Sequence, residues 1–254
     1  MQLNYRRQGQ GMPVMLVHGL FGNLDNLNGL NRALTEHFDV ITVDLRNHGQ
    51  SPRSEEMTYA AMADDILELS EQLQLDRPAL VGHSMGGKAV MMAAGLAPDR
   101  VRGLVVADMA PVAYREARHQ EVFAGLQAVI DAGCQSRKEA DAVLAEHVAI
   151  AGVRQFLLKS FVAGEAGWRF NVAALRKAYN NIMGWPGLPA PFEGPVLFIK
   201  GSESDYLLPE HQPEVQAQFP NARARVIQNA GHWLHAEKPQ AFNRVVQDFL
   251  LSVS

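Results

Sequence analysis

Short apolar segments alternate with amphipathic helical patterns through the first 110 residues, and this alternation restricts the fold more than any other feature. Four segments rich in β-branched residues are predicted strands, at 13–19, 39–45, 78–84 and 101–109. Nearly continuous apolar strands are typical of a sheet that is covered on both faces. Alternation of strands with helices therefore predicts an α/β fold, with a mostly parallel central sheet and helices on both faces.

The rhythm of the sequence changes after the fourth predicted strand. Residues 114–181 carry helical patterns without a convincing strand, and the proline- and glycine-rich stretch 184–195 follows them. The strand pattern then returns and the chain closes with a helix, at 195–201, 222–230 and 238–251. The sequence thus predicts one α/β domain over residues 1–254, with a helical cap inserted at 112–190.

Charge and cysteine content restrict the partners and the compartment. The chain has 23 Lys and Arg against 27 Asp and Glu, a net charge of −4, which does not favour nucleic acid as a partner. Cys134 is the single cysteine, so an intramolecular disulfide is impossible and a reducing cytoplasm is expected. No secretory leader and no membrane span are predicted, because the apolar runs are too short. Oligomeric state is left open.

The stretch GHSMG at 82–86 carries the strongest chemical signal. Ser84 lies between a predicted buried strand and a helix rich in small residues, which is the context of a nucleophile elbow. Gly82 and Gly86 would leave room for the tight, strained turn that exposes such a serine. A lone match of this pattern arises by chance, so Ser84 also needs a base, an orienting acid and oxyanion donors.

His232 is the predicted base. It follows the last predicted strand in the segment AGHWLHAEKP, at the edge of the sheet where open α/β folds carry out their chemistry. Its position after the serine and near the end of the chain also fits the order of residues in α/β-hydrolases. His235 is the nearby competitor, and a role in supporting the loop or opening the helix suits it better.

Two aspartates compete as the acid that orients this histidine. Asp108 ends a buried apolar run, and a buried carboxylate needs a partner such as an imidazole N–H. Asp205 lies four residues beyond Gly201 in a polar loop, where aspartate is often a turn residue. Many hydrolases of this kind carry the acid after the later strand, which would favour Asp205. The local sequence favours Asp108, so the residues alone leave Asp205 open.

Backbone N–H groups are the expected oxyanion donors. Met85 directly follows the serine at a helix N-terminus, and Leu20 lies in the loop after the first central strand. His18 and Asp44 are interpreted as structural residues of the neighbouring loops. Five residues are expected to line a substrate pocket: His83, Phe123, Trp185, Tyr206 and Trp233.

Five segments together resemble a known family. They are VHGLFGNLDN, DLRNHGQS, GHSMGGK, VVADMAPV and AGHWLHAEKP, and they lie outside the predicted cap. The chain resembles the bacterial YbfF-type esterases of the α/β-hydrolase superfamily. This resemblance implies a carboxylesterase that acts on small-molecule acyl esters or acyl-CoA thioesters, without a metal or other cofactor. It also implies that Asp108 is the acid and that Ser204 helps to hold the histidine.

The predicted function is therefore serine ester hydrolysis through Ser84, His232 and Asp108, with an acyl-enzyme intermediate. Other chemistries on the same scaffold are the enzymatic alternatives: peptidase, C–C bond hydrolase and cofactor-free haloperoxidase. A ligand-binding protein on a hydrolase fold is the alternative from a different class. Dehalogenases and epoxide hydrolases of this fold place an aspartate at the elbow, where this chain has Ser84.

Overall fold

A computed structural model of the chain describes residues 1–164 and 167–254. Its centre is a seven-stranded sheet in the order β1-β3-β2-β4-β5-β6-β7. β1 runs antiparallel to β3, and the other neighbouring pairs are parallel. The strands are β1 Tyr5–Gln8, β2 Met12–Val17, β3 Phe38–Val43, β4 Ala79–His83, β5 Gly103–Ala107, β6 Val196–Gly201 and β7 Ala222–Ile227.

Helices cover both faces of the sheet because successive strand residues point to opposite sides. On β2, Met15 and Val17 pack with the helices Tyr59–Gln72 and Met85–Leu96, while Val14 and Leu16 pack with the helices Asn28–Leu34 and Pro239–Ser252. The predicted α/β class and two-sided packing are confirmed. The helices are α1 Asn28–Leu34, α2 Tyr59–Gln72, α3 Met85–Leu96, α4 Gln120–Asp131, α5 Arg137–Ala145, α6 Ala151–Leu158, α7 Val172–Lys177, α8 Tyr179–Met183, α9 Gln212–Gln218, α10 Leu234–Glu237 and α11 Pro239–Ser252.

Strand β1 was not predicted from the sequence. Its residues, YRRQ, are all exposed and show no apolar alternation. The strand is held by its ladder with β3 and by ion pairs from Arg6 to Asp25 and from Arg7 to Asp39. Pairing with an existing sheet edge therefore decides this element, and hydrophobic periodicity does not mark it.

The segment between β5 and β6 contains the helices α4 to α8 and lies over the same core as α3. Phe123, Leu126, Leu157 and Phe170 are buried in the cluster that also contains the inner face of α3. Trp168 is buried there too, and its indole N–H donates to the carbonyl of Leu126 at 3.1 Å. In the described part of this segment, extended pairing is limited to one isolated bridge, between Phe161 and Trp168.

A completely buried lysine ties the end of this segment to the sheet helices. Lys88, one turn into α3, donates through Nζ to the carbonyls of Gly184 at 2.8 Å and Met183 at 3.2 Å. Its ammonium also lies 4.7 Å from the ring centre of Tyr114 and 5.5 Å from that of Tyr59. Burial lowers the pKa of Lys88 to about 7, because the charged form loses its hydration.

Strand β7 forms the outer edge of the sheet beside β6. Arg223 and Arg225 are exposed on it, and Val226 is 51% exposed. The described helices include none that is long and apolar enough to cross a membrane.

Candidate active site

Ser84 lies at a sharp turn between the end of β4 and the start of α3. Its backbone has φ 54° and ψ −122°, a conformation that L-residues adopt rarely. The flanking glycines are required by space: a β-carbon on Gly82 would lie 2.3 Å from the carbonyl oxygen of Gly86. A β-carbon on Gly86 would lie 2.4 Å from the carbonyl oxygen of His18. The predicted strand–turn–helix setting and its strain are both present.

His232 and Asp108 form a chain of hydrogen bonds with this serine. His232 Nε2 is 2.9 Å from Ser84 Oγ, and His232 Nδ1 is 2.7 Å from Asp108 Oδ2. Because the carboxylate can only accept, Nδ1 carries the proton and Nε2 is left to accept from the serine hydroxyl. The folded chain therefore brings His232 against two residues that lie more than a hundred positions before it in the sequence.

Asp108 is completely buried, and its carboxylate accepts from three groups. The residue directly follows β5 with φ 52°. Oδ1 accepts from the backbone N–H of Gly201 at 3.0 Å, and Oδ2 accepts from the hydroxyl of Ser204 as well as from His232. These donors replace the water that burial removes. Ser204 was expected to help hold the histidine, and its hydroxyl binds the aspartate that contacts His232.

Asp205, the alternative acid, turns away from the histidine. Its side chain is 66% exposed and accepts from Arg118 Nη1 at 2.7 Å. The Arg118 guanidinium holds the pKa of the Asp205 carboxyl below its usual value. The structure thus places Asp108, rather than Asp205, against His232, because the polar loop projects Asp205 toward Arg118 in the segment between β5 and β6.

Other rings enclose His232. His83 donates from Nε2 to the His232 carbonyl at 2.8 Å, and the centre of its ring lies 4.9 Å from that of His232. His235, the competing base, packs its ring against His83 at 4.4 Å. Burial lowers the pKa of His83 well below its usual value, and those of His119 and His235 to about 4. These three rings are therefore neutral at pH 7, and they add no positive charge around His232.

The two predicted oxyanion donors both border a cavity of about 20 Å³ beside Ser84. The backbone N–H groups of Leu20 and Met85 have no protein acceptor among the described residues. Met85 opens α3, where the first N–H groups have no partner within the helix. Both N–H groups are therefore available to an oxygen atom bound next to Ser84.

Buried polar side chains hold the loop that carries Leu20. His18 Nε2 accepts from the Leu45 N–H at 3.1 Å, and His48 Nε2 accepts from the Phe21 N–H at 3.3 Å. Asp44 accepts from the Leu24 N–H at 2.7 Å. The structural interpretation of His18 and Asp44 fits these contacts.

A larger cavity of about 70 Å³ also opens onto Ser84. His83 and Trp233 line it as expected, and Tyr206 lines the smaller cavity. The structure corrects the other two expected pocket residues. Phe123 packs behind Phe21, with ring centres 5.2 Å apart. Trp185 lines neither cavity, and its indole N–H donates to the Gln218 side chain at 2.8 Å.

Sequence reasoning missed several lining residues. His119 borders both cavities, and its Nδ1 lies 2.8 Å from the Tyr179 hydroxyl. Phe156 on α6 stacks on Trp233 at 5.4 Å. The amphipathic pattern of α6 marks Phe156 as a residue that faces inward, whereas the position of His119 before α4 carries no such signal. In the ranges 1–164 and 167–254, no cluster of three His, Cys, Asp or Glu side chains could hold a metal ion.

Known proteins match this chain over nearly its full length. The model of the alpha/beta hydrolase family matches residues 14–245. Esterase YbfF of Escherichia coli is 48% identical, over 98% of this chain and 99% of that protein. The sn-1-specific diacylglycerol lipase ABHD11 of Mus musculus is 41% identical, over 93% and 80%. A solved marine microorganism esterase superposes with a TM-score of 0.93 and 35% identity, over 98% and 99% of the chains.

The family match covers far more than half of the residues, and the two relatives named share over 40% of their aligned positions with this chain. The backbone of the chain superposes on nearly the whole of the solved esterase. The chain therefore belongs to the alpha/beta hydrolase family, among its carboxylic ester hydrolases.

Proposed function

We propose that the chain hydrolyses acyl esters through a covalent acyl-enzyme, with Ser84 as the nucleophile. The observation that carries the proposal is the unbroken chain of hydrogen bonds from Ser84 Oγ to His232 at 2.9 Å and from His232 to buried Asp108 at 2.7 Å. A serine hydroxyl is a weak nucleophile unless a neighbouring base removes its proton, and this arrangement supplies that base.

Each residue has a defined part in the proposed reaction. His232 Nε2 takes the proton of Ser84 as Oγ attacks the carbonyl carbon, and Asp108 stabilises the imidazolium that forms. The N–H groups of Leu20 and Met85 bind the oxyanion. The C–O bond to the alcohol then breaks, and His232 returns its proton to the leaving oxygen. Water, deprotonated by His232, attacks the acyl-enzyme and releases the acid and Ser84.

The apolar lining of the larger cavity favours binding of an apolar acyl or alcohol group of the substrate. Its walls include Phe21, Val122, Val153, Phe156 and Leu157, and the last four come from the segment between β5 and β6. We therefore assign residues 112–190 the role of a cap over the substrate. The relatives named above are esterases and a diacylglycerol lipase. The proposal also includes acyl-CoA thioesters, because they react by the same steps.

A cytoplasmic location is proposed as well, because buried Cys134 is unpaired.

A fluorophosphonate probe and a panel of acyl esters and thioesters of increasing chain length test this function. We expect a covalent adduct on Ser84 and hydrolysis that falls at least about 10³-fold in Ser84→Ala. Ser254→Ala, at the chain end, is the matched control and should keep wild-type rates. Retention of esterase activity in Ser84→Ala would overturn the proposal. Binding of esters without an adduct at Ser84 would favour a ligand-binding protein instead.

A further inference from the structure

Tyr206 lies between the proposed base and a cation from the cap. Its ring stacks on the imidazole of His232, with ring centres 3.8 Å apart and planes 18° from parallel. The guanidinium carbon of Arg118 lies 4.5 Å from the centre of the Tyr206 ring. Among the described ring pairs, none has closer centres than Tyr206 and His232. The base is therefore packed face to face against an aromatic ring that a second group holds.

The hydrogen bonds of His232 leave one motion of its ring unrestrained. Nδ1 and Nε2 bond to Asp108 and Ser84 at two points on the edge of the ring. Such edge bonds restrain translation, but the ring can still roll about the line that joins them. Contact on the faces removes this roll, and His83 at 4.9 Å is tilted by 40°, so it makes a poorer flat contact than Tyr206.

The position of Tyr206 is itself set by the group that binds the acid. Its backbone N–H donates to Ser204 Oγ at 3.2 Å, and the Ser204 hydroxyl donates to Asp108. Its carbonyl accepts from the Tyr114 hydroxyl at 2.5 Å. The ring that packs on the base and the carboxylate that orients the base are thus fixed through one serine.

Arg118 connects the proposed cap to Tyr206 and Asp205. It precedes α4, is 20% exposed, and bonds through Nη1 to Asp205, the residue before Tyr206. A guanidinium over a tyrosine ring is a stabilising cation–π pair, and its planar shape suits stacking better than an ammonium does. The ion pair holds the guanidinium in register with the ring.

We propose that Tyr206 is a positioning residue that fixes the orientation of the His232 imidazole, and that Arg118, paired with Asp205, fastens Tyr206 from the cap. The proposal rests on the proposed function, because it assigns a purpose to the orientation of His232. It assigns Tyr206 a role beyond lining a cavity, and it makes the alignment of the base dependent on a closed cap.

The first experiment compares Tyr206→Leu with Tyr206→Phe in the full-length chain. Loss of alignment at a reacting group costs up to about 100-fold in rate, so we expect Tyr206→Leu to lower kcat for an acyl ester by about 30-fold, with a smaller change in KM. Tyr206→Phe keeps the stacked ring and should recover most of that loss. Tyr5→Leu, on exposed strand β1, is the matched control, and thermal unfolding of each variant reports on folding.

The second experiment applies the same logic to the cation. Arg118→Leu should lower kcat by about threefold to tenfold, because an indirect contact is lost. Arg118→Lys should recover only part of the loss, since an ammonium cannot stack in the same way. Arg244→Leu on α11 is the matched control, because Arg244 is exposed and its ion pair is with Asp248 on the same helix.

A proton NMR signal separates this proposal from the proposed function. The proton on His232 Nδ1, shared with Asp108, should exchange faster with water in Tyr206→Leu than in Tyr206→Phe, whether or not esters are hydrolysed. An active wild type with equal kcat and equal proton exchange in the two variants would overturn the positioning role and leave the hydrolysis intact. A wild type without Ser84-dependent hydrolysis would refute the function, and the NMR comparison would still decide the role of Tyr206.

Discussion

Two aspartates follow neighbouring strands at the same edge of the sheet, and their surroundings differ completely. Asp108 directly follows β5, is completely buried, and accepts from Gly201, Ser204 and His232. Asp205 lies beyond β6, is mostly exposed, and pairs with Arg118. A place at the carboxyl end of a strand is thus shared by both, and the number of donors at a buried position distinguishes them.

Local backbone geometry explains the difference. The positive φ of Asp108 turns its side chain under the histidine loop immediately after the strand ends. That loop passes close to β6 at Gly201, where a β-carbon would lie 2.3 Å from the Gly231 carbonyl oxygen. Glycine at 201 therefore lets its own N–H reach Asp108 and lets the His232 loop cross, while Asp205 follows in a turn that leads outward.

Asp108→Asn should give the largest effect. An amide donates where the carboxylate accepts, so it favours the wrong tautomer of His232 and cannot stabilise the imidazolium. We expect kcat to fall about 10³- to 10⁴-fold with little change in KM, measured with a chromogenic acyl ester. Activity near the wild-type level in this variant, with Asp205→Asn inactive, would show that Asp205 rather than Asp108 is the acid that orients His232.

Lys88 is a buried cation, in contrast to the buried anion Asp108, and its burial makes stability depend on pH. Its pKa is lowered from 10.5 to about 7 by burial, so between these values the unfolded chain binds a proton that the folded chain lacks. The free energy of unfolding should therefore rise with pH from 7 to 10.5, by a total on the order of a few kcal/mol. Below pH 7 both states are protonated, and this contribution is constant.

Urea unfolding of the wild type and of Lys88→Met at several pH values from 7 to 9 measures this contribution as a difference. The difference cancels the N-terminal amine, whose pKa the Asp65 and Glu68 carboxylates raise. Equal slopes in the two proteins would show that Lys88 stays charged when buried.

Ser204→Ala should give an intermediate effect, because it removes one donor from Asp108 and an acceptor from the Tyr206 N–H. A lost hydrogen bond to a charged group costs about 1.5–3 kcal/mol, so kcat should fall by about tenfold or more. The matched control is Ser202→Ala, because Ser202 accepts from the Asn229 N–H in an exposed loop. Equal activity of the two variants would mean that Asp108 needs no support from Ser204.

Asp205→Asn should have the smallest effect. An exposed ion pair contributes about 0–1 kcal/mol, so the loss of its hold on Arg118 should lower kcat about threefold at most. Because salt screens exposed charges, raising the ionic strength should shrink the gap between wild type and variant. A gap that is insensitive to salt would assign Asp205 a contact other than this ion pair.

The sequence was sufficient for most of the fold because its central strands are apolar and its helices amphipathic. The context of Ser84 could likewise be predicted from the strand before it, the flanking glycines and the helix after it. Strand β1 escaped prediction because exposed residues that pair with an edge leave no periodic pattern.

Side-chain contacts between segments that are distant in the sequence were harder to predict. The choice between Asp108 and Asp205 stayed open from residues alone, because it depends on where two loops cross. Trp185 and Phe123 show the limit for pockets, since an aromatic residue of the cap faces the substrate or the core according to packing that no local pattern encodes. The stack of Tyr206 on His232 has the same origin.

The exposed arginines of β7 affect whether two copies of the protein can associate through this edge of the sheet. A bare sheet edge invites a second chain to add its own strand, which is a common route to aggregates. Two copies that met antiparallel along β7 would set Arg223 and Arg225 of one against those of the other, and like charges facing each other across strands repel. The charges on β7 thus disfavour the pairing of two copies into one continuous sheet.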